Sequence, residues 1–437
     1  MTSSRAAPER PPLRVAPFRA LRFAASGERL ARLLCPPYDV IDDAGVTELE
    51  HADPHNVVRL ILPRADRASA QDRYERAATT LRDWRGEGVL ARDPEPALYA
   101  YEMSTEHART LGILAAVGLA PSEAGVILPH ENTMAGPVAD RLALTAATRA
   151  NLEPIYLVYN GGGATADLLT RIAAGPVDAD ATTPDGVRHR LWAVTDESSM
   201  RTVAADLAAR TALIADGHHR YATYLRYQAD RAASAHPGDA GRPRDSQDQP
   251  WDFGLAFLVD ARTSGAQVEA IHRVIPGLPL ADAVRSAAAG FATGPVDGPL
   301  EHAVAALRAA GAHGTALLLT DGDGGHLLTQ PAADALDRAV PRDHAAAWRE
   351  LDVTICHRLL FTDLWGLQDR EGVVDFEHDA AVALQRSHDT HGVAVLLNPT
   401  RVEQVAAVAA AGEKMPRKST LFTPKPATGL VLRPLDD

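Results

Sequence analysis

The stretch Thr211–Ala233, TALIADGHHRYATYLRYQADRAA, decides how this chain is read. Its apolar run Ala212–Ala215 predicts a short buried strand, Gly217 a tight turn, and Tyr221, Tyr224, Leu225 and Gln228 recur at helical spacing directly afterwards. A strand that turns on one glycine into a helix is an α/β signature. It presents Asp216, Gly217, His218, His219 and Arg220 at the junction. Backbone N–H groups at a new helix N-terminus bind anions, and Gly217 lets that backbone approach a ligand closely. Arg220 adds a planar guanidinium suited to bidentate phosphate recognition. The same residues also have a plain structural reading, in which Asp216 caps the helix and the histidines pack or face water.

Working outward, Pro129-His130-Glu131-Asn132-Thr133 ends another apolar strand. A Glu beside a His at a strand terminus suits a general base acting on an alcohol, although these residues taken alone read first as a loop carboxylate capping the next turn. Ile271-His272-Arg273 is a further His-Arg pair after apolar alternation, and either completes an anion site or sits on a strand edge. The chain has only three lysines, Lys414, Lys418 and Lys425, all near its end, and otherwise uses arginine. Lysine is a compact point charge and arginine a broad fork, so this restriction points to a site that wants an ammonium; a solvated tail is the alternative. His130, Glu131, His218 and His219 are also donors of the type zinc accepts, which leaves a metal-dependent hydrolase as a third possibility.

The 437 residues carry 44 Lys+Arg against 57 Asp+Glu, a formal charge of −13. An acidic balance argues against general nucleic-acid binding, so the expected partners are small molecules. No apolar run is long enough for a transmembrane helix, and residues 1–17 lack the apolar core of a signal peptide. Two cysteines, Cys35 and Cys356, cannot make a disulfide scaffold. A cytoplasmic protein without membrane contact is therefore expected. The sequence has no G-x-x-x-x-G-K-[ST] loop, no G-x-S-x-G elbow and no H-E-x-x-H helix, and Gly161–Gly163 lacks the context of a dinucleotide loop.

The pattern along the chain predicts a mixed α/β (α+β) protein in three parts: an N-terminal region 1–95, a core 96–278, and a C-terminal region 279–437. The apolar run 56–63 predicts a buried strand, 67–90 a helix and 231–250 a flexible loop. No repeat at a fixed period is evident.

Seven motifs occur in order: CPPYDVI (35–41), NVVRLILP (56–63), ILPHENT (127–133), DRLAL (140–144), DGHHRYAT (216–223), HRVIPGL (272–278) and MPRKSTLFTPK (415–425). Together they resemble a widespread prokaryotic family classed as a domain of unknown function. DGHHR also resembles the phosphate-binding turn of the ParB/sulfiredoxin superfamily, which includes nucleotide-dependent free serine kinases. That resemblance implies a ParB/sulfiredoxin-like core and a kinase transferring a phosphoryl group from ATP or ADP, with Mg2+, to an alcohol, L-serine first. It implies that Gly217, His218, His219 and Arg220 cradle phosphates, that Glu131, with His130 beside it, is the base, and that Asp216 positions Mg2+ or substrate. Arg273, Lys418 and Lys425 would neutralise developing charge, with the terminal motif implying that the last segment of 279–437 returns to the core. Glu131 and Asp216 stand 85 positions apart, more than in the small kinases, so an insertion near 160–210 is needed. His218 occupies the reactive-cysteine position of sulfiredoxins, which disfavours their chemistry. A non-enzymatic nucleotide- or phosphometabolite-binding regulatory module is the alternative.

Overall fold

The computed structural model describes residues 10–65, 72–106, 108–235, 248–263, 266–322, 325–368 and 372–436. The chain divides into two compact units, Met1–Ala266 with Pro424–Asp437, and Gln267–Thr423. This partition differs from a cut near 95 and another near 278, and strand pairing explains why. Val15–Ala16 (β1) pairs antiparallel with Arg109–Gly118 (β3), and Phe18 bridges Ala97, so the N-terminal region extends the core sheet. The HRVIPGL motif belongs elsewhere: its strand His272–Ile275 lies between Val393–Leu397 and Asp375–Glu377.

The first unit is built on a mixed sheet of nine strands among the described residues. Besides β1 and β3 these are Leu98–Ser104 (β2), Ile127–Leu128 (β4), Ile155–Tyr159 (β5), Ala179–Thr182 (β6), Arg188–Val194 (β7), Ala212–Asp216 (β8) and Phe253–Asp260 (β9). They run in the order β4-β8-β5-β9-β3-β2-β7-β6, with β1 on β3. Strands β2, β3, β5 and β9 are buried almost throughout, as expected of near-continuous apolar runs covered on both faces. Gly112 sits where the Leu258 carbonyl passes: a Cβ there would lie 2.4 Å from that oxygen, so only glycine permits the β3–β9 register. Leu111, Ile113, Leu157, Ile214, Tyr221, Tyr224 and Leu258 belong to one buried apolar cluster, which fixes the start of the DGHHR helix against the sheet.

Helices Ala135–Thr148 (α1) and His218–Ala235 (α2) carry the functional motifs, and the Thr223 hydroxyl donates to the Val138 carbonyl between them. The apolar run 56–63 is a helical turn, Val58–Ile61, and not a strand. Asn56 is the reason: its side-chain oxygen accepts from Val58 N–H, while its amide donates to the carbonyls of Arg32 and Leu34. Such local side-chain bonding starts helices and competes with strand pairing. The helix expected over 67–90 spans Arg73–Gly86, with Asp72 capping its first turn; residues 66–71 lie outside the described residues. The loop expected at 231–250 divides: α2 continues to Ala235, and 236–247 lie outside the described residues. The C-terminal stretch returns to this unit as short pairings, Thr428 with Cys35, Leu432 with Leu21, and Arg433–Pro434 with Ala150–Asn151.

Among the described residues the second unit holds a six-stranded antiparallel sheet, with Val274, Leu318, Ala394 and Leu396 in its apolar core beside Leu307 and Ala383 of two helices. No helix of the described residues is long and apolar enough to cross a membrane.

Candidate functional site

Strand β8 pairs antiparallel with β5 on one side and parallel with β4 on the other, and its register with β5 shifts between Ile214 and Asp216. Such an irregularity re-aims the side chain that follows it. Gly217 then adopts φ +93°, and its carbonyl accepts the first helical bond, from Tyr221 N–H at 2.9 Å. The amides of His218, His219 and Arg220 therefore precede Tyr221 N–H, the first amide to donate within the helix, and with the helix dipole they favour an anion.

Arg220 does not present the phosphate fork that its sequence position suggests. It is 3% exposed, and its terminal nitrogens donate to the Pro154 carbonyl and to Asp216. Its Nε has no hydrogen-bond partner among the described residues, and a Cβ on Gly217 would sit 3.1 Å from it. The guanidinium holds the turn from behind. Gly217→Ala would meet both the positive φ and this contact, so we expect a loss of about 1–2 kcal/mol and weaker anion binding. Chemical denaturation and ligand titration of the variant check both.

Asp216 is likewise a structural anchor. One carboxylate oxygen pairs with Arg220 and the other lies 2.6 Å from the Lys425 ammonium, itself 3.7 Å from Asp39. Burial disfavours its ionisation, but the Arg220 and Lys425 charges outweigh this and hold its carboxyl below the usual range. Mg2+ demands near-octahedral oxygen ligation. An oxygen pair already facing two cations does not fit that demand, and no group of three or more His, Cys, Asp or Glu among the described residues could hold a metal. Asp216 is thus not placed as the metal ligand expected from sequence, and neither does the zinc-type set of His130, Glu131, His218 and His219 qualify.

Glu131 joins this turn from β4. Its carboxylate lies 3.6 Å from His218 Nδ1 and 3.9 Å from His130 Nε2. His218 Nε2 accepts from the His130 backbone N–H at 3.2 Å, so its proton sits on Nδ1, the nitrogen facing Glu131. The His130 and His218 rings meet edge to face with centroids 4.6 Å apart. Both imidazoles are buried, whereas the Glu131 side chain is 48% exposed. His219 Nε2 accepts from Met134 N–H at 3.0 Å; burial chiefly, with the Arg220 charge, pushes its pKa down and keeps the ring neutral.

Four residues without an assigned role complete the cluster. Glu153, buried between β5 and its preceding turn, accepts from the Tyr38 backbone N–H at 3.0 Å and lies 3.8 Å from Arg141. Arg141 stacks over the Tyr38 ring at 4.3 Å, and burial pushes the Tyr38 hydroxyl up to about 12. The ordered motifs PPYDV and DRLAL thus meet DGHHR through Tyr38, Asp39 and Arg141. Glu153 lies in no motif, and only its contacts reveal it.

Arg273 and Lys418 belong to the second unit. Arg273 is buried there, donating to the Ile271 and Lys418 carbonyls and to His357 Nε2. Lys418 takes a left-handed φ of +54° where Arg273 grips its carbonyl. Their contacts make HRVIPGL and MPRKST a bracing pair within that unit. Lys425, from the same terminal motif, is the lysine that reaches Asp216.

The chain belongs to the family described as Protein of unknown function (DUF1015), whose model matches residues 15–354. No curated protein matches the sequence. Among solved structures it is similar to C-terminally truncated SbnI from Staphylococcus aureus, at 11% identity over 74% of this chain and 90% of that one, with a TM-score of 0.33. A free serine kinase variant in complex with ADP matches at 10% identity, 71% and 87% coverage and a TM-score of 0.32. A conserved hypothetical protein from Pyrococcus furiosus matches at 10% identity, 71% and 90% coverage and a TM-score of 0.30. Likeness this remote transfers no role, so the site stands on its own geometry.

Proposed function

We propose that this member of the DUF1015 family is a small-molecule kinase that transfers a nucleotide phosphoryl group to an alcohol, with L-serine as the first candidate. One observation carries the reading. Glu131, whose side chain is half-exposed, lies 3.6 Å from His218 on the first turn of α2, although the two are far apart in sequence. A base and an anion-binding helix start therefore share one place.

In this reading the amides of residues 218–220 take the transferring phosphoryl group. Glu131 accepts the acceptor hydroxyl proton as the new oxygen–phosphorus bond forms, and the bond to the nucleotide leaving oxygen breaks with its electron pair on that oxygen. His218 Nδ1–H orients the carboxylate. Lys425, 19% exposed and between Asp39 and Asp216, supplies the cation. Phosphoryl transfer needs mainly positioning and electrostatic stabilisation, which turns and helix ends can provide. Because the residues do not build a metal cage, any Mg2+ would arrive on the nucleotide phosphates, and no step is assigned to it.

The test is incubation of the full chain with ATP or ADP, with and without Mg2+, and L-serine, following phosphoserine by mass spectrometry beside a thermal-shift series that includes AMP. Phosphoserine formation is the expected result. Nucleotide stabilisation without turnover of any alcohol would replace the kinase by a nucleotide-sensing module. No stabilisation by any nucleotide would overturn both.

A further inference from the structure

The cation at Asp216 depends on a short stretch of chain. Lys425 stands between Pro424 and Pro426, and each proline has its φ fixed and lacks an N–H with which to anchor the backbone. The next amide, Ala427 N–H, is buried and donates at 3.1 Å to the Tyr101 hydroxyl of β2. Thr428 N–H then donates to the Cys35 carbonyl at 2.8 Å, so the two bonds tie the segment down directly after Lys425.

Tyr101 is fully buried, and its neighbours fix both its hydroxyl and its ring. A phenol has one proton. Because the hydroxyl accepts from Ala427, it donates that proton to His189 Nδ1, 2.8 Å away on β7. Burial pushes the His189 pKa down to about 4, so near neutral pH the ring keeps its own proton on Nε2, 3.0 Å from the Thr183 hydroxyl. That hydroxyl lies 2.6 Å from Asp185 Oδ1. The Tyr101 ring meets Phe257 with centroids 4.9 Å apart, and Phe257 meets Tyr156 at 5.5 Å. Gly112 leaves room for this contact: it is the register partner of Tyr101 on β3, and a Cβ there would lie 2.7 Å from the Phe257 ring. Tyr156 is in turn the register partner of Asp216. One buried aromatic row therefore links the strand beside Asp216 to the hydroxyl that holds the segment of Lys425.

We propose that Tyr101 is a positioning residue of the site: its hydroxyl, aimed by His189 and packed by Phe257, holds the segment after Pro424 so that the Lys425 ammonium sits against Asp216 beside the DGHHR turn. For its effect on turnover this rests on the kinase reading above; for the placement of Lys425 it does not. Tyr101 touches no substrate and acts through Lys425. Deleting its hydroxyl leaves the Ala427 N–H and His189 Nδ1 buried without their partner, which favours release of the segment.

Tyr101→Phe removes the hydroxyl and keeps the ring. Tyr99→Phe is the matched control, because Tyr99 lies on the same strand, is equally buried, and bonds Asp93 and the Ala20 N–H instead. With only three lysines in the chain, brief acetylation of the full protein by an N-hydroxysuccinimide ester, followed by peptide mass spectrometry, reads Lys425 against Lys414 and Lys418 as internal references. Below the melting temperatures of both variants, Lys425 in Tyr101→Phe should acetylate about fivefold faster, the factor that one lost hydrogen bond is worth. In Tyr99→Phe it should react at the parent rate. In phosphoserine formation, kcat should fall in Tyr101→Phe with the KM for L-serine unchanged, whereas a merely structural role would leave the two variants alike. An unchanged Lys425 rate, or an equal rise in both variants, would overturn the proposal, as would a faster-reacting Lys425 with the parent kcat. If the parent makes no phosphoserine, the kinase reading falls, and the acetylation rates by themselves still decide whether Tyr101 places Lys425.

Discussion

Glu131→Gln is expected to lower phosphoryl transfer by about 10²–10⁴-fold, the usual worth of a positioned general base, while nucleotide still raises the melting temperature. The amide keeps the size and much of the hydrogen bonding of the carboxylate but cannot take the hydroxyl proton. With its side chain 48% exposed, the residue contributes little to packing, so stability should change by no more than about 0.5 kcal/mol. The two readouts must separate for the assignment to stand. If turnover is unchanged, Glu131 is an ordinary loop carboxylate and the base lies elsewhere in the turn. If nucleotide stabilisation vanishes as well, the residue contributes to binding and not to proton transfer.

Asp216→Asn carries the largest expected effect on stability. Arg220 and Lys425 both face this carboxylate, and removing it leaves a buried guanidinium and a mostly buried ammonium without their principal counter-charge. Breaking a buried pair in this way costs about 3–5 kcal/mol, which urea denaturation will measure. Adding Lys425→Met should recover part of the loss, because one stranded cation is then removed, so the cycle should be strongly non-additive. The pH dependence has a definite sign. Burial works against ionisation of Asp216, yet Arg220 and Lys425 bring its folded pKa below the usual value. The unfolded chain therefore binds its proton first as pH falls. The stabilisation is fully present above the unfolded value of about 3.9 and is lost as pH falls below it through the folded value. The stability gap between the parent and Asp216→Asn should thus be constant near neutrality and narrow in acid. A gap that widened in acid, or a variant as stable as the parent at neutral pH, would contradict the anchoring role.

Much of the fold was legible because its signals are local. The run that became β8 is apolar and ends at a glycine turn, and α2 and the helix Arg73–Gly86 follow helical spacing. Reading failed where a single polar residue outweighed the pattern: Asn56 turns NVVRLILP into a helical turn by bonding backbone on both sides of itself. It also failed at the unit boundaries. HRVIPGL pairs with strands more than a hundred residues onward, and periodicity says nothing about which strands will be neighbours.

The site divides in the same way. Sequence alone determined that Asp216–Arg220 forms a strand–turn–helix, because Gly217 and the flanking periodicities are local properties. It also marked Lys425, through the scarcity of lysine. Only the tertiary structure decided what those groups face. It set Glu131 beside His218, made Arg220 and Asp216 anchors of the turn, and gave Arg273 and Lys418 to the second unit. It also recruited Tyr38, Arg141 and Glu153. The physical reason is that a side chain's role follows from its burial and from the charges around it. Both are set by long-range packing, on which the spacing of residues along the chain is silent.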